Sequence, residues 1–211
     1  MSRCENLLEL SVSDFLAATA ERSATPGGGS VAGVVGALAT ALGQMSLNFT
    51  RGKRKYAEHA DAHDTLAARL DRARAMFEQL VSDDATAYRL YREATRQEDG
   101  ADKDRAVALA TAAAIDVPRE VAKLSLALLR DLAAFAPTSN KYLITDLLSA
   151  GALAAAACRL CDYNVRVNLP NVSDGAAAED IRKASADDLA AAEALRDDLE
   201  RAAEDWLAPQ A

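Results

Sequence analysis

Small residues that recur every four positions, directly after three consecutive glycines, constrain this chain more than any other feature. The glycines are Gly27–Gly29, and the recurring residues are Gly29, Gly33, Ala37 and Ala41. Glycine loses more conformational entropy on folding than any other residue, so three in a row indicate a loop that requires an unusual backbone path or a close approach. The stripe that follows lets another helix, or the same helix of a second copy, pack backbone to backbone. We therefore predict a glycine loop that opens a close-packed helix.

Helix is predicted over nearly the whole chain. Half of the 211 residues are hydrophobic but only 5% are aromatic, so the core must be built mainly from Ala, Leu and Val, and alanine favours helix. No run alternates apolar and polar residues over the length of a strand. We expect an all-α fold, a compact bundle of about five to seven helices with long Ala-rich segments. We also expect a single domain over residues 1–211 that packs against a second subunit.

Apolar periodicity and turn residues predict six helices. They span about residues 14–22, 30–49, 56–96, 103–135, 143–167 and 179–207. Ser13 is expected to cap the first helix, with Phe15 and Leu16 facing inward. Pro118 should kink or restart the fourth helix, because proline lacks a backbone donor and clashes with the preceding turn.

Charge and cysteine content exclude several classes of protein. The formal net charge is -8, from 24 basic and 32 acidic residues, and the one basic cluster, Arg51–Lys55, is too short for a nucleic-acid footprint. Three cysteines, an odd number, in a chain without an apolar leader indicate a cytoplasmic protein with free thiols. The apolar run Val31–Leu47 is shorter than a membrane span of about 20 residues. We interpret it as a buried core helix and expect no membrane partner.

The glycine loop also matches the dinucleotide-binding pattern, at Gly27, Gly29 and Ala32. That pattern requires a strand before the loop. Because the preceding segment is predicted to be helical, we reject this interpretation, and a P-loop is excluded since no Gly-Lys-Ser/Thr follows. Two interpretations stay equally open: a tight turn between helices, or backbone N–H groups that bind an anion at a helix start.

A zinc site is a weak candidate. His59 and His63 lie four residues apart, and Cys158 and Cys161 lie three apart, as zinc ligands do on helices. The histidines belong to a polar stretch with a solvated character, however, and cysteines in an alanine-rich core pack as small hydrophobic residues. We expect no metal.

Acidic and amide side chains mark three further places. Asp146 lies among leucines near a helix start, where a carboxylate either partners backbone donors or is a buried functional group. Asp83 and Asp84 are adjacent in a helix and point about 100° apart, so only one of them needs solvent. Asn164 and Asn168 lie one turn apart at the end of the fifth helix, where an amide commonly caps the last carbonyls.

Six short motifs, in order, carry a resemblance to one family. They are Pro26-Gly27-Gly28-Gly29-Ser30 before an Ala/Gly helix, Thr50-x-Gly52-Lys53-x-x-Tyr56, Asp84-Ala85-x-x-Tyr88, Asp116-x-Pro118, Asn140 with Thr145-Asp146, and Asn164-Val165-x-Val167-Asn168-Leu169. From about Asp14 to Leu207 the chain resembles the cyclodeaminase/cyclohydrolase family. That family includes the C-terminal domain of formiminotransferase-cyclodeaminase and the stand-alone bacterial methenyltetrahydrofolate cyclohydrolases.

The resemblance implies an all-helical homodimer that acts on one-carbon adducts of tetrahydrofolate, without a metal and with no cofactor beyond the folate substrate. The cyclohydrolase adds water to 5,10-methenyltetrahydrofolate and opens the ring to 10-formyltetrahydrofolate. The cyclodeaminase closes 5-formiminotetrahydrofolate and expels ammonia. The lack of a transferase segment favours the cyclohydrolase, with the cyclodeaminase or a non-catalytic folate- or anion-binding helical dimer as alternatives. Departures from the common family pattern at Arg51, Ser139 and Tyr142 leave the substrate open.

The resemblance also implies roles for individual residues. Lys53, Asp84 and Asp146 are the expected catalytic residues, the carboxylates for acid–base transfer and for stabilising a cationic substrate ring, and Lys53 for orienting water or binding the pterin carbonyl. The loop amides and the basic cluster are expected to bind the carboxylates of the folate tail. The expected substrate-binding residues are Pro26, Gly27, Gly28, Gly29, Ser30, Tyr56, Tyr88, Asn140, Asn164 and Asn168.

Overall fold

The computed structural model describes residues 6–204. Over that range the chain forms six α-helices and no strand, so the predicted all-α class is confirmed. The helices are α1 Val12–Ala20, α2 Gly28–Asn48, α3 Ala60–Thr95, α4 Ala101–Phe135, α5 Ile144–Asn168 and α6 Gly175–Ala202. Short 3-10 segments at Leu7–Glu9, Arg54–His59, Ala136–Thr138, Lys141–Leu143 and Leu169–Asn171 flank them.

The first helix starts at a different residue from the one predicted, because a different serine caps it. Ser11, not Ser13, caps α1: its hydroxyl accepts the N–H of Asp14 at 3.1 Å and donates to the carboxylate of the same residue at 2.6 Å. This reciprocal pair stabilises the earlier start. The predicted inward position of Leu16 is wrong, because α1 packs no residue into the core and Leu16 is 63% exposed. Phe15 is only half-buried.

The ends of two other helices also differ. Asp174 accepts the N–H groups of Ala176 and Ala177 at 2.9 and 3.2 Å, so this helix starts at Gly175 rather than near 179. Its predicted end at Leu207 lies outside the described residues. α3 begins at Ala60 because residues 54–59 form a 3-10 segment with a non-helical Tyr56 (φ -115°).

α4 continues through Pro118, so the predicted restart there is wrong. Proline leaves the carbonyl four residues earlier, that of Ala114, without its helical donor. The side-chain amide of Asn168 donates to this carbonyl at 3.3 Å. A side chain from α5 thus replaces the bond that the ring removes.

α2 is the central helix and packs on α3, α5 and α4. An added Cβ at Gly33 would lie 2.7 Å from Val81 Cγ2, and one at Gly36 would lie 2.6 Å from Phe77 Cδ1, so α2 and α3 approach closely. The predicted stripe therefore forms an interface at its start but leaves Ala41 exposed. A spacing of four drifts by about 40° per step on a helix of 3.6 residues per turn, so Gly36 replaces the later members.

α2 and α5 run antiparallel and define two ends of the molecule. The glycine end consists of Gly27–Ser30 and the amides Asn164 and Asn168 at the end of α5, where the side chain of Asn164 lies against Gly28. The basic end consists of Thr50–Lys55 with Asn140 and Asp146 at the start of α5. There the N–H of Asn140 donates to Thr50 Oγ1 at 2.9 Å and its amide donates to the Phe49 carbonyl at 3.2 Å.

Two segments have the length and hydropathy of a membrane span. They are α2 and the segment Lys141–Asn171, each with a mean hydropathy of 1.5, and 50% and 39% of these windows are buried inside the chain. Core helices of water-soluble proteins meet the same criteria. α2 contains no charged residue, whereas α5 exposes Arg159 and Arg166.

Candidate functional site

A cleft of about 290 Å³ lies at the glycine end. It is lined by backbone from the glycine loop and by side chains of α3 and α5. The predicted site residues that the structure brings together there are Gly27, Gly28, Gly29, Asp84, Tyr88, Asn164 and Asn168. Pro26 and Ser30 are buried behind this lining.

Asp84 is held at the start of α2 although it belongs to α3. Ser30 Oγ donates to Asp84 Oδ2 at 2.7 Å, and the Ser30 backbone N–H donates to the same carboxylate. The N-cap residue of α2 is Gly27, which has no side chain to accept the first N–H groups. Asp84 therefore supplies from a neighbouring helix the acceptor that an N-cap side chain normally provides.

This contact answers the question that the sequence left open about the glycine loop. The helix start does bind an anion, but the anion is the chain's own Asp84 carboxylate. Gly29 makes the contact possible, because an added Cβ there would lie 2.6 Å from Asp84 Cγ. Asp83, by contrast, points away and accepts a hydrogen bond from Gln79 at 2.9 Å. The expected divergence of the two acids is confirmed.

Burial raises the pKa of Asp84 above the ordinary value for aspartate, and the two hydrogen bonds from Ser30 oppose this shift without cancelling it. Removal from water penalises the charged carboxylate more than two donors stabilise it. Asp84 thus keeps its proton to higher pH than an exposed aspartate. A carboxyl in this state can both accept and return a proton.

Aromatic and amide side chains form the remaining walls. Asn164 donates to the Leu160 carbonyl at 2.8 Å, and Asn168 donates to the Asn164 carbonyl at 2.9 Å. Within the described part of the chain, the Oδ1 atoms of both amides accept no hydrogen bond, so they remain acceptors for a ligand. Tyr88 lies one turn beyond Asp84 on the same face of α3.

Some lining residues were missed by sequence reasoning. Tyr91 follows Asp84 by seven residues and Val167 follows Asn164 by three, and both spacings place residues on one helix face. That periodicity could have identified them. Others, such as Ala114, carry no signal in the sequence. The missed residues are Ala24, Thr25, Ala87, Tyr91, Ala114 and Val167.

Four predicted site residues do not reach this cleft within one chain: Lys53, Tyr56, Asn140 and Asp146 lie at or near the basic end. α2 has 21 residues and so separates the two ends by about 30 Å. Lys53 is exposed, and within residues 6–204 its hydrogen bonds are those of its backbone, to Thr50 and from Tyr56. The functional roles of these four residues stay predictions.

The three departures from the common family pattern also lie at the basic end. Arg51 forms an ion pair with Asp64 at 2.6 Å. Ser139 donates to the Ala136 carbonyl at 2.8 Å, and the side chain of Tyr142 is 91% exposed. Any change of specificity that they cause must act at this end.

The zinc alternative finds no support in the geometry. His63 is buried, with its ring edge-on to Phe135 and its Nε2 3.2 Å from Thr138 Oγ1, so the predicted solvated position is wrong. Desolvation lowers the pKa of His63. Cys158 and Cys161 are free, buried thiols, as predicted, and burial raises the pKa of Cys158 to about 12. Across residues 6–204 no three His, Cys, Asp or Glu side chains form a group that would hold a metal ion.

The structure defines an all-α protein in which a cleft at the start of α2 holds the Asp84 carboxyl. Comparison with known proteins then identifies the family. Residues 11–187 match the family model described as formiminotransferase-cyclodeaminase, and the chain belongs to this family. The recognition made from the six motifs is confirmed.

Individual relatives differ in how much of their length the chain covers. A methenyltetrahydrofolate cyclohydrolase of Methylorubrum extorquens is 30% identical over 192 residues, which are 88% of this chain and 92% of that protein. A formimidoyltransferase-cyclodeaminase of Sus scrofa is 31% identical over 185 residues, but the chain spans only 34% of its length. The crystal structure of a formiminotetrahydrofolate cyclodeaminase from Thermotoga maritima superimposes with a TM-score of 0.80 at 31% identity, covering 95% of this chain and 97% of that one.

Proposed function

We propose that this protein is a methenyltetrahydrofolate cyclohydrolase, which converts 5,10-methenyltetrahydrofolate and water to 10-formyltetrahydrofolate. The observation that carries the proposal is Asp84, a partly buried carboxyl with a raised pKa that is fixed by Ser30 and faces a cleft. The similarity to a cyclohydrolase over 92% of that relative's length supports this choice of reaction.

The chemistry requires one group that takes a proton and later returns it. Water attacks the cationic methenyl carbon while the ionised Asp84 accepts one of its protons. The tetrahedral adduct then breaks its bond to N5, and Asp84 returns the proton to that nitrogen. The remaining hydroxyl proton leaves to solvent as the formyl carbonyl forms on N10, so the cation and water give a neutral product and one proton. Before water attacks, the carboxylate also stabilises the charge of the substrate ring.

The cleft suits one end of a folate. Its volume of about 290 Å³ fits a ring system rather than a whole folate, so the tail extends outward. Tyr88 and Tyr91 offer aromatic faces for stacking, and the Asn164 and Asn168 carbonyl oxygens accept N–H groups of the pterin. We propose that the reaction needs no cofactor beyond this substrate. We also propose that the protein is cytoplasmic.

We further propose that the working unit is a homodimer. The outward face of α2 exposes Leu38 and Phe49 and carries no charged residue, and contiguous apolar faces mark protein interfaces. One chain has a mass of 22.3 kDa. Light scattering on the purified protein should give twice that mass.

Loss of methenyl absorbance with purified protein, corrected for the uncatalysed reaction, tests the proposed activity. We expect Asp84→Asn to lower kcat/KM by about 100-fold or more, as removal of a general acid–base does. Asp83→Asn is the matched control, since this neighbouring acid faces away and bonds Gln79. Wild-type turnover in the Asp84 variant would refute the assignment.

The similarity to the Thermotoga maritima structure supports a second candidate, formiminotetrahydrofolate cyclodeaminase. In that reaction N10 attacks the formimino carbon and ammonia leaves with a proton that Asp84 would supply. Ammonia release, measured beside the methenyl assay, distinguishes the two. Faster ammonia release would favour the second candidate, and tetrahydrofolate binding without either reaction would favour a non-catalytic binding protein.

A further inference from the structure

The two carboxylate oxygens of Asp84 lie in different surroundings. Oδ2 accepts the Ser30 hydroxyl at 2.7 Å, and Ser30 is fully buried. Oδ1 is the Asp84 atom nearest to the side-chain position of Gly29, a residue that lines the cleft. No other side chain within residues 6–204 donates a hydrogen bond to this carboxylate. One oxygen is therefore held in the interior, while the other lies beside the cleft.

Ser30 contacts the carboxylate twice because of its place in α2. It is the third residue of this helix, a position whose N–H an N-cap side chain accepts. Asp84 accepts that N–H from outside the helix, and the Ser30 hydroxyl adds a second hydrogen bond from the same residue. Because hydrogen bonds are directional, two donors on one residue fix the rotation of the carboxylate as well as its position.

Tight contacts further along α2 keep Ser30 in register with α3. An added Cβ at Gly33 would lie 2.7 Å from Val81 Cγ2, and one at Gly36 would lie 2.6 Å from Phe77 Cδ1. Backbone and side chains this close leave no room for one helix to slide along the other. The Ser30 hydroxyl therefore meets the carboxylate at a fixed place.

No cationic side chain of the described chain stabilises the ionised form of Asp84. α2 contains no charged residue, and no basic group within residues 6–204 forms an ion pair with Asp84. Cys161 of α5 is fully buried, and burial, followed by the charges of Cys158 and Asp84, raises the pKa of its thiol, which stays neutral. Within residues 6–204, Ser30 is therefore the residue that stabilises the carboxylate.

We propose that Ser30 is a positioning residue of the proposed reaction: its hydroxyl holds Oδ2 of Asp84 and leaves Oδ1 to exchange the proton with the substrate. This inference rests on the proposed function. An oxygen that already accepts a hydrogen bond is a poor site for the proton, because two hydrogens would then face each other. The proton passes from water to Oδ1 and from Oδ1 to N5, while Ser30 keeps its own hydrogen.

The pH dependence of kcat/KM tests this role, because it reports the pKa of the free enzyme's base. Burial raises the pKa of Asp84 and the Ser30 hydroxyl opposes that shift, so Ser30→Ala should raise it further. We expect the pH below which kcat/KM falls to rise by about 1–2 units, the equivalent of one hydrogen bond to a charged group. A serine that only stabilises the fold would lower kcat/KM by the same factor at every pH.

The acidic part of this profile can be assigned to one residue. Among the described residues that line the cleft, the titratable ones are Asp84, Tyr88 and Tyr91, and Asp84 is the one carboxyl. Ser30→Cys has nearly the size of the wild type and keeps a weak S–H donor, so its profile should lie between those of wild type and Ser30→Ala. It also keeps the test open if alanine impairs folding, which circular dichroism would show.

A double variant tests whether Ser30 acts through Asp84. Once Asp84→Asn has removed the acid–base group, loss of the Ser30 hydroxyl should have little further effect. We expect kcat/KM of Ser30→Ala/Asp84→Asn to lie within about threefold of Asp84→Asn alone, because residues that act as a unit are not additive. A further fall as large as that of Ser30→Ala in the native background would overturn the inference.

Ser46→Ala is the matched control. Ser46 lies on the same helix, is as fully buried as Ser30, and its hydroxyl has no hydrogen-bond partner within residues 6–204. We expect its pH profile to equal that of the wild type. An equal shift in both alanine variants, or an unshifted profile in Ser30→Ala, would overturn the inference. Wild-type turnover of Asp84→Asn would instead overturn the proposed function.

Discussion

Replacement of Gly29 by alanine tests the contact on which the cleft depends. The new Cβ would lie 2.6 Å from Asp84 Cγ and 3.0 Å from Asp84 Oδ2, whereas ordinary contacts are 3.4–4 Å. Asp84 Oδ1 would lie closer still, so the carboxyl must move by more than about 1 Å, which breaks the 2.7 Å hydrogen bond from Ser30. The loss of a charged hydrogen bond costs about 1.5–3 kcal/mol and crowding about 1–3 kcal/mol, offset by about 0.5–1 kcal/mol for removing a helical glycine.

We expect a net destabilisation of about 2–4 kcal/mol, which for a chain of this length lowers the Tm by about 5–15 °C. Turnover of the methenyl substrate should fall with it, because the displaced Asp84 no longer faces the reacting carbon. Circular dichroism during heating and the methenyl assay measure the two effects. A fall in both Tm and turnover would show that the close approach of Gly29 to Asp84 is required, whereas a flexible loop would tolerate alanine.

Two other glycines serve as controls. At Gly28 an added Cβ would lie 3.3 Å from the terminal amide of Asn164, which can shift by a few tenths of an ångström, so Gly28→Ala should be mild. At Gly175 no atom lies within 4 Å, and alanine there should stabilise by about 0.5–1 kcal/mol. If Gly29→Ala matches Gly175→Ala in both Tm and turnover, the reasoning about close approach is wrong.

Two further predictions concern Asp84 and Pro118. Because the folded-state pKa of Asp84 is raised, its ionisation costs folding free energy as pH rises above the ordinary aspartate value of 3.8. Denaturant unfolding at several pH values should show Asp84→Asn gaining stability over wild type up to the raised pKa and holding it beyond; a gain that shrinks with rising pH would contradict this. Pro118→Ala returns a backbone N–H donor to the Ala114 carbonyl, which accepts a hydrogen bond from the Asn168 side chain in the wild type. Stability should rise by about 1 kcal/mol and the folate KM should increase with little change in kcat, so an unchanged KM would rule out a positioning role for that amide bond.

Much of the fold could be read from apolar periodicity, and the exceptions have local causes. α2 and α5 begin and end within two residues of their predicted bounds, since both are long and uniformly apolar. α1 starts earlier than expected because two serines compete as caps, and the one that pairs with Asp14 prevails. Such a choice depends on side-chain geometry that spacing alone does not contain.

Seven of the residues that line the cleft were predicted from the sequence, but not which of the predicted residues lie together. The helical spacing indicated that only one of Asp83 and Asp84 needs solvent, and the structure identifies Asp84 as the buried member. Sequence order could not tell that α5 runs antiparallel to α2, and that topology separates Asp146 and Lys53 from Asp84. Which helix ends meet is a property of long-range packing, and in this protein it distributes the expected residues between two ends.

The bond between Ser30 and Asp84 also gives this protein an internal spectroscopic reporter. The Ser30 amide is fully buried and donates to the carboxylate, so its chemical shift should follow the charge on a single residue. An NMR titration of that one amide would report the protonation state of Asp84 in the unsubstituted protein without a ligand. The coupling exists because α2 has no capping side chain of its own and Asp84 of α3 accepts its N–H group instead.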